Sequence, residues 1–189
     1  MPMPFGSLWL PVVVSTIAVF VVSCVIHVVM THHKGDFGKL PDEDALADEV
    51  RRQAPAPGQY MFPHCGGKEG MKDPAFKAKW ERGPALFLVV RGAGMPGMGP
   101  AMGLWALNVF AVSFLTAYVA RHALQPGAAC VEVARITGTV GIAAYTMATW
   151  TESIWKWRPW RVTVLAVVDG VVYAVAAALV FCWLWPAAH

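Results

Sequence analysis

Residues 162–185 read VTVLAVVDGVVYAVAAALVFCWLW, an apolar run that contains a single charged side chain, Asp169. A helix that crosses the hydrocarbon core of a bilayer needs about 20 mainly apolar residues. Short connections between such helices favour antiparallel neighbours. We therefore expect a single membrane domain over residues 1–189 with an all-α fold, a four-helix transmembrane bundle with one long, partly helical polar loop. The four helices are expected at about residues 8–30, 101–120, 127–150 and 162–185, and the loop at residues 31–100.

Composition also indicates lipid as the solvent around this 189-residue chain. Hydrophobic residues make up 57% of it and charged residues 14%, whereas soluble domains have about 45–50% apolar and about 25% charged residues. The net charge of +3 is too small to give the basic surface of a nucleic-acid-binding protein. The expected partners are therefore the lipid bilayer and a second membrane protein, without nucleic acid. The oligomeric state stays open.

The basic residues predict the orientation of the helices. Most of them lie in the long loop or in the connection between the last two spans, among them Lys34, Arg51, Arg158 and Arg161. Positively charged loops stay in the cytoplasm, so the long loop is expected inside and both termini outside. The first apolar segment has no basic n-region and is longer than the core of a signal peptide, so we expect it to be retained as a helix.

The long loop is expected to contain structure of its own. Residues 45–53 follow the acids Asp42-Glu43-Asp44 and end with Arg51 and Arg52, a charge order that the helix dipole prefers, so we expect a short soluble helix. Asp73 followed by Pro74 is typical of the start of a second short helix, which Gly83 would end. Residues 85–90 are apolar but too short to span, so we expect a short strand or a partly inserted stretch.

The four cysteines are Cys24, Cys65, Cys130 and Cys182, and no two of them have Cys-x-x-Cys spacing. A disulfide framework or a zinc site usually leaves a recognisable spacing. Free cysteines in membrane helices commonly serve as small packing residues. The sequence therefore predicts four unpaired cysteines.

Ionisable residues inside the spans are the most informative feature of the sequence. His27 lies near the inner end of the first span. Asp169 lies about two turns into the fourth span, counted from the same side of the membrane. Glu152, at the inner end of the third span, is expected within their reach. Such residues usually face the bundle interior and have a partner. We favour hydrogen bonds that fix helix register, with a proton relay, a substrate contact or a metal site as the alternatives.

A metal site is one specific form of this hypothesis. His27, His33 and Asp36 offer two imidazoles and a carboxylate, a donor set suited to a first-row transition metal; His32 is adjacent. A regular helix would not align these histidines, so the helix would have to end near Met30. The simpler interpretation is a group of interfacial histidines beside lipid headgroups, and no cofactor is expected.

Several stretches together resemble an uncharacterised family of small bacterial four-helix integral membrane proteins. The pieces are Leu40-Pro41-Asp42-Glu43-Asp44, Pro57-Gly58-Gln59-Tyr60-Met61-Phe62-Pro63 and Asp169-Gly170-Val171-Val172-Tyr173-Ala174. They are distributed over nearly the whole chain. The resemblance implies the fold already expected and a location in the bacterial inner membrane, and it brings no activity with it.

Two classes of function follow. The favoured one is an accessory or scaffold protein that binds a partner or lipid, because the chain is small and no catalytic arrangement has supporting spacing. The alternative is a protein that handles a small molecule, a proton or a metal ion with the ionisable residues at the inner end of the bundle. An enzyme is the least favoured class. His27 and Asp169 separate the first two classes: a shared wet cavity favours handling, and dry packing favours a scaffold.

Overall fold

Residues 3–188 are described by a computed structural model, and most of them are helical. The chain divides into a helical unit, which comprises the chain up to Asp36 and from Gly97 onwards, and a loop unit, Phe37–Pro96. The boundaries between the two units, at residues 36/37 and 96/97, lie near the ends of the predicted polar loop. The helical content agrees with the all-α class, to which the structure adds a small two-stranded sheet.

Within the described residues, three helices are long and apolar enough to cross a membrane. The first is Gly6–Val29, in which α1 (Trp9–Cys24) continues into a wider π-helical turn at Val25–Val29. The others are α4 (Met98–Ala123) and α7 (Trp160–Trp183). These lie where the sequence predicted the first, second and fourth spans, which supports a membrane location.

The segment predicted as the third span is not a regular α-helix throughout. Helix α5 (Cys130–Thr146) is followed by a tight 3-10 turn at Met147–Thr149 and then by α6 (Trp150–Lys156). Thr146 and Thr149 each donate a hydroxyl hydrogen bond back to a carbonyl three or four residues earlier, a contact that bends helices. A fourth helix of spanning length at residues 127–150 is therefore not confirmed.

The helices of the helical unit pack through small residues. Helix α1 contacts α4 and α7, and α5 contacts α4 and α7. At the α5–α7 contact, a Cβ atom added to Gly141 would lie 2.9 Å from the Cβ of Ala174, and one added to Gly170 would lie 2.8 Å from the Cγ2 of Thr146. Glycines let membrane helices approach closely, so this contact helps to fix the position of Asp169, the neighbour of Gly170 on α7.

The prediction that Cys130 and Cys182 are unpaired is wrong. Cys130, at the start of α5, and Cys182, near the end of α7, form a disulfide with Cα atoms 4.8 Å apart. Because the two cysteines are 52 residues apart, no local motif could indicate the pair, which depends on the packing of α5 against α7. Cys24 and Cys65 are free, as predicted.

The loop unit is small and partly regular, as its turn and capping residues predict. Helix α2 (Glu43–Gln53) and helix α3 (Pro74–Arg82) begin after Asp42 and Asp73, whose carboxylates accept hydrogen bonds from backbone N–H groups. Gly83, with φ of 62°, ends α3. Strand β1 (Gly58–Phe62) pairs antiparallel with β2 (Leu86–Val90), which confirms the strand alternative for residues 85–90.

Candidate metal centre

His27 lies at the end of the first span, and His32 and His33 lie in the turns that follow it. The π-helical turn Val25–Val29 carries His27, and the backbone becomes extended at Met30. Two tight turns follow, closed by hydrogen bonds from the N–H of Lys34 to the carbonyl of Thr31 and from the N–H of Asp36 to the carbonyl of His33. The helix thus ends where a metal site would require it, and the chain folds back so that His33 faces His27. The two imidazole rings meet edge to face with centroids 4.9 Å apart.

Asp169 of α7 is the carboxylate that meets these histidines. Its side chain is buried, and one oxygen, Oδ2, lies 2.6 Å from Nε2 of His33. The other oxygen, Oδ1, lies 3.2 Å from Nε2 of His32. A buried carboxylate needs such partners because unpaired charge is costly away from water.

His27, His33 and Asp169 form a group that fits a metal ion. Each offers one donor atom, and the three donor atoms lie within 4.8 Å of one another. An ion with bonds of about 2.1 Å holds its donor atoms about 3–4 Å apart. For one ion to be held, Nε2 of His33 and Oδ2 of Asp169, now 2.6 Å apart, would have to separate slightly to make room for it between them.

A second layer holds His33 in place. Nδ1 of His33 lies 2.6 Å from Oδ2 of Asp36, on the side of the ring opposite Asp169. Arg161 donates hydrogen bonds to Oδ1 of Asp36, at 3.1 Å, and to the carbonyl of His32, at 2.9 Å. A carboxylate on the far nitrogen of a metal-binding histidine fixes its tautomer and makes it a stronger ligand. Asp36 is positioned for that role rather than for direct ligation.

The same contacts shift the pKa values of His33 and Asp36. Burial lowers the pKa of His33, but the hydrogen bonds to Asp36 and Asp169 and the attraction of both carboxylates outweigh it, so the pKa is raised from its ordinary value. Burial raises the pKa of Asp36, and the hydrogen bond from His33 and the charges of His33 and Arg161 outweigh it, so that pKa is lowered. An imidazole donates from both nitrogens only when protonated. A metal ion would replace the proton on Nε2.

The predicted site residues fall into two places. His27, His33, Asp36 and Asp169 are brought together, although the sequence analysis had assigned Asp169 to a polar cluster and Asp36 to the ligand set. Glu152 lies outside the three-residue group and instead accepts a hydrogen bond from Lys156 at 2.7 Å within α6. The sequence indicates Arg161 only as one of the basic residues that predict orientation. Its place at the start of the last span, on the same predicted side as His33 and Asp36, was the available cue.

An open cavity of about 730 Å³ lies against the group, with His27, His33, Asp36 and Asp169 in its wall. The remaining wall comes mainly from apolar and aromatic side chains of α1, α4, α5 and α7. The three residues of the group therefore border a space large enough for a small molecule.

No protein-family model, curated protein or solved structure matches this chain. The resemblance to the family of small bacterial membrane proteins stays a prediction.

Proposed function

We propose that this chain is an integral membrane protein that holds one first-row transition-metal ion with His27, His33 and Asp169. The observation that carries the proposal is the convergence of these three donors at the edge of an open cavity. Asp36 and Arg161 act as the supporting layer, and His32 acts as a further hydrogen-bond donor to Asp169.

The donor set limits the chemistry. Imidazole and carboxylate ligands suit iron, zinc, copper or nickel better than calcium or magnesium. Structural zinc sites are closed by four protein ligands, whereas three protein ligands leave a position for water or another molecule. Two histidines and one carboxylate with open positions are also the arrangement of non-haem iron(II) sites. The proposed ion would therefore present an open coordination position to the cavity.

The proposal belongs to the second of the two function classes that the sequence left open, a protein that handles a small molecule, a proton or a metal ion. His27 and Asp169 lie in the wall of one open cavity, and this shared position favours the handling class over the scaffold class. The scaffold hypothesis stays a prediction, for which the exposed apolar side chains of the loop unit are the remaining support.

We further propose a four-helix bundle in the bacterial inner membrane, with α5 and α6 together as the third crossing. The loop unit would face the cytoplasm, as the basic residues favour. The disulfide supports this orientation because Cys182 lies at the end of α7 opposite Arg161. Disulfides persist in oxidising compartments, so that end would face outward and the metal centre inward.

Cobalt(II) titration tests the metal proposal. Protein in lipid nanodiscs is stripped with a chelator and titrated with Co²⁺, whose visible absorption reports coordination by the protein. We expect bands that saturate at about one equivalent and disappear in His33→Ala. His122→Ala, a histidine of α4 that packs on Tyr118, is the matched control and should titrate like the wild type. Absent bands, or equal bands in His33→Ala, would contradict the proposal.

A further inference from the structure

Two tyrosines meet in the wall of the cavity, apart from the metal centre. Tyr145 of α5 and Tyr173 of α7 have ring centroids 5.6 Å apart in an edge-to-face arrangement, and both line the cavity. Tyr173 is only 5% exposed. It lies four residues after Asp169, one helical turn along the same face of α7. The pair thus lies one turn farther from the loop side than the proposed ligands.

Both tyrosine hydroxyls are buried, and within residues 3–188 neither has a hydrogen-bond partner. The neighbouring Trp105, whose ring centroid is 5.9 Å from that of Tyr173, differs because its indole N–H donates to Oγ of Ser23 at 2.8 Å. Buried polar side-chain atoms nearly always have a partner. Two unpaired phenols in one cavity wall therefore indicate a partner that the chain itself does not supply.

The cavity limits what that partner is. Its volume of about 730 Å³ lies within the range of small-molecule sites, about 300–1,000 Å³. Apolar and aromatic side chains such as Phe20, Met102 and Trp105 form much of the wall. Phenol hydroxyls can donate hydrogen bonds, so a ligand with acceptor oxygens on an otherwise apolar body suits this wall. The helices around it include all three candidate spans, so we expect the ligand to be lipid-soluble.

We propose that the cavity binds a lipid-soluble carbonyl compound of the quinone type, whose oxygens accept hydrogen bonds from Tyr145 and Tyr173. This inference goes beyond the metal proposal, since the phenols and the cavity are present without an ion. With an ion in place, the ring would lie about one helical turn from the open coordination position.

Equilibrium binding of a decyl-substituted benzoquinone to the protein in nanodiscs tests this inference. We expect saturable binding of about one equivalent above that of empty nanodiscs. Replacing one neutral hydrogen bond costs about fivefold in affinity. Tyr145→Phe and Tyr173→Phe should therefore each weaken binding about fivefold, and the double variant about 25-fold, because phenylalanine keeps the ring and removes only the hydroxyl.

Tyr118→Phe is the matched control, since Tyr118 lies on α4, half exposed and against His122; its affinity should equal that of the wild type. Binding no greater than to empty nanodiscs would overturn the inference and leave the cavity to lipid chains or water. Equal affinity in the wild type and the double variant would do the same. Quinone binding is measured on chelator-stripped protein, which carries no ion, so failure of the two proposals is distinguishable.

Discussion

At the proposed metal centre, His33 is the residue at which a proton and the ion would compete. Its pKa is raised, so its protonated form stabilises the fold below the unfolded value of about 6.5, and that contribution is lost as the pH rises through the higher folded pKa. Metal binding has the opposite sign, because the ion must displace the proton on Nε2. We predict that affinity for Zn²⁺, measured by competition with a chromophoric chelator, falls about tenfold per pH unit below that pKa. An affinity that stays constant between pH 6 and 8 would contradict this competition.

Asp36 is expected to act through His33 rather than on the ion. Asp36→Asn removes the charge beside Nδ1 and also the ion pair with Arg161, so we predict a loss of about 10- to 100-fold in metal affinity. The pH at which metal affinity falls should also move downward, because the carboxylate that raises the pKa of His33 is gone. Asp48→Asn, in an exposed pair with Arg51 on α2, is the control. Equal affinity and equal pH dependence in both variants would show that Asp36 has no influence on the ligand.

At the residue scale, sequence reasoning found the chemically capable side chains but not their contacts. His27, His33, Asp36 and Asp169 were all singled out because ionisable groups in or beside a span need a reason to be there. The link between His33 and Asp169 joins residues 136 apart, and no local spacing encodes it. Arg161 was missed as a partner for the same reason.

At the scale of elements, the α5–α7 contact is the most sensitive to change. A Cβ atom on Gly170 would lie 2.8 Å from Cγ2 of Thr146 and 3.1 Å from the carbonyl oxygen of Tyr145. The helix propensity gain of about 1 kcal/mol from glycine to alanine is outweighed, since the backbone oxygen cannot rotate away. We predict that Gly170→Ala destabilises the protein by about 1–3 kcal/mol, measured as a lower Tm in detergent.

Gly103→Ala on α4 is the matched control, because nothing lies within 4 Å of the added Cβ atom. It should leave Tm unchanged or slightly raised. An equal Tm for the two variants would mean that the helices are not packed as closely as the structure has them.

Hydrophobic run length was a good predictor for three elements and a poor one for the fourth. Residues 8–30, 101–120 and 162–185 differ by only a few residues from the helices observed. The segment at residues 127–150 has comparable length, but it carries Glu132 and Arg135, and its helix tightens to a 3-10 turn at Met147–Thr149. Run length alone does not account for these two features. Caps and turns in the loop unit were predicted because Asp42, Asp73 and Gly83 act on their immediate neighbours.

At the scale of the whole molecule, orientation decides which compartment the metal centre faces. Cys65 is a free cysteine of the loop unit, so it can report the side directly. In a Cys24→Ser background, we predict that a membrane-impermeant maleimide labels Cys65 only after the cells are permeabilised. Labelling of Cys65 in intact cells would reverse the orientation and place the loop unit outside.

The disulfide is the feature of the whole molecule that departs most clearly from the sequence prediction. It joins Cys130, at the start of α5, to Cys182, near the end of α7. The two cysteines are 52 residues apart, and only the packing of α5 on α7 brings them together. Its presence at the end of α7 away from Arg161 gives the orientation a second, independent support beyond the basic residues.

Elemental analysis of the purified protein tests the central claim most directly. Wild-type protein, His33→Ala, Asp169→Asn and the control His122→Ala are purified in nanodiscs without added metal or chelator and measured by mass spectrometry. We predict about one first-row transition metal per chain in the wild type and the control, and much less in the two site variants. Metal-free wild-type protein that also binds none on reconstitution, or equal metal in all four proteins, would contradict a metal centre at His27, His33 and Asp169.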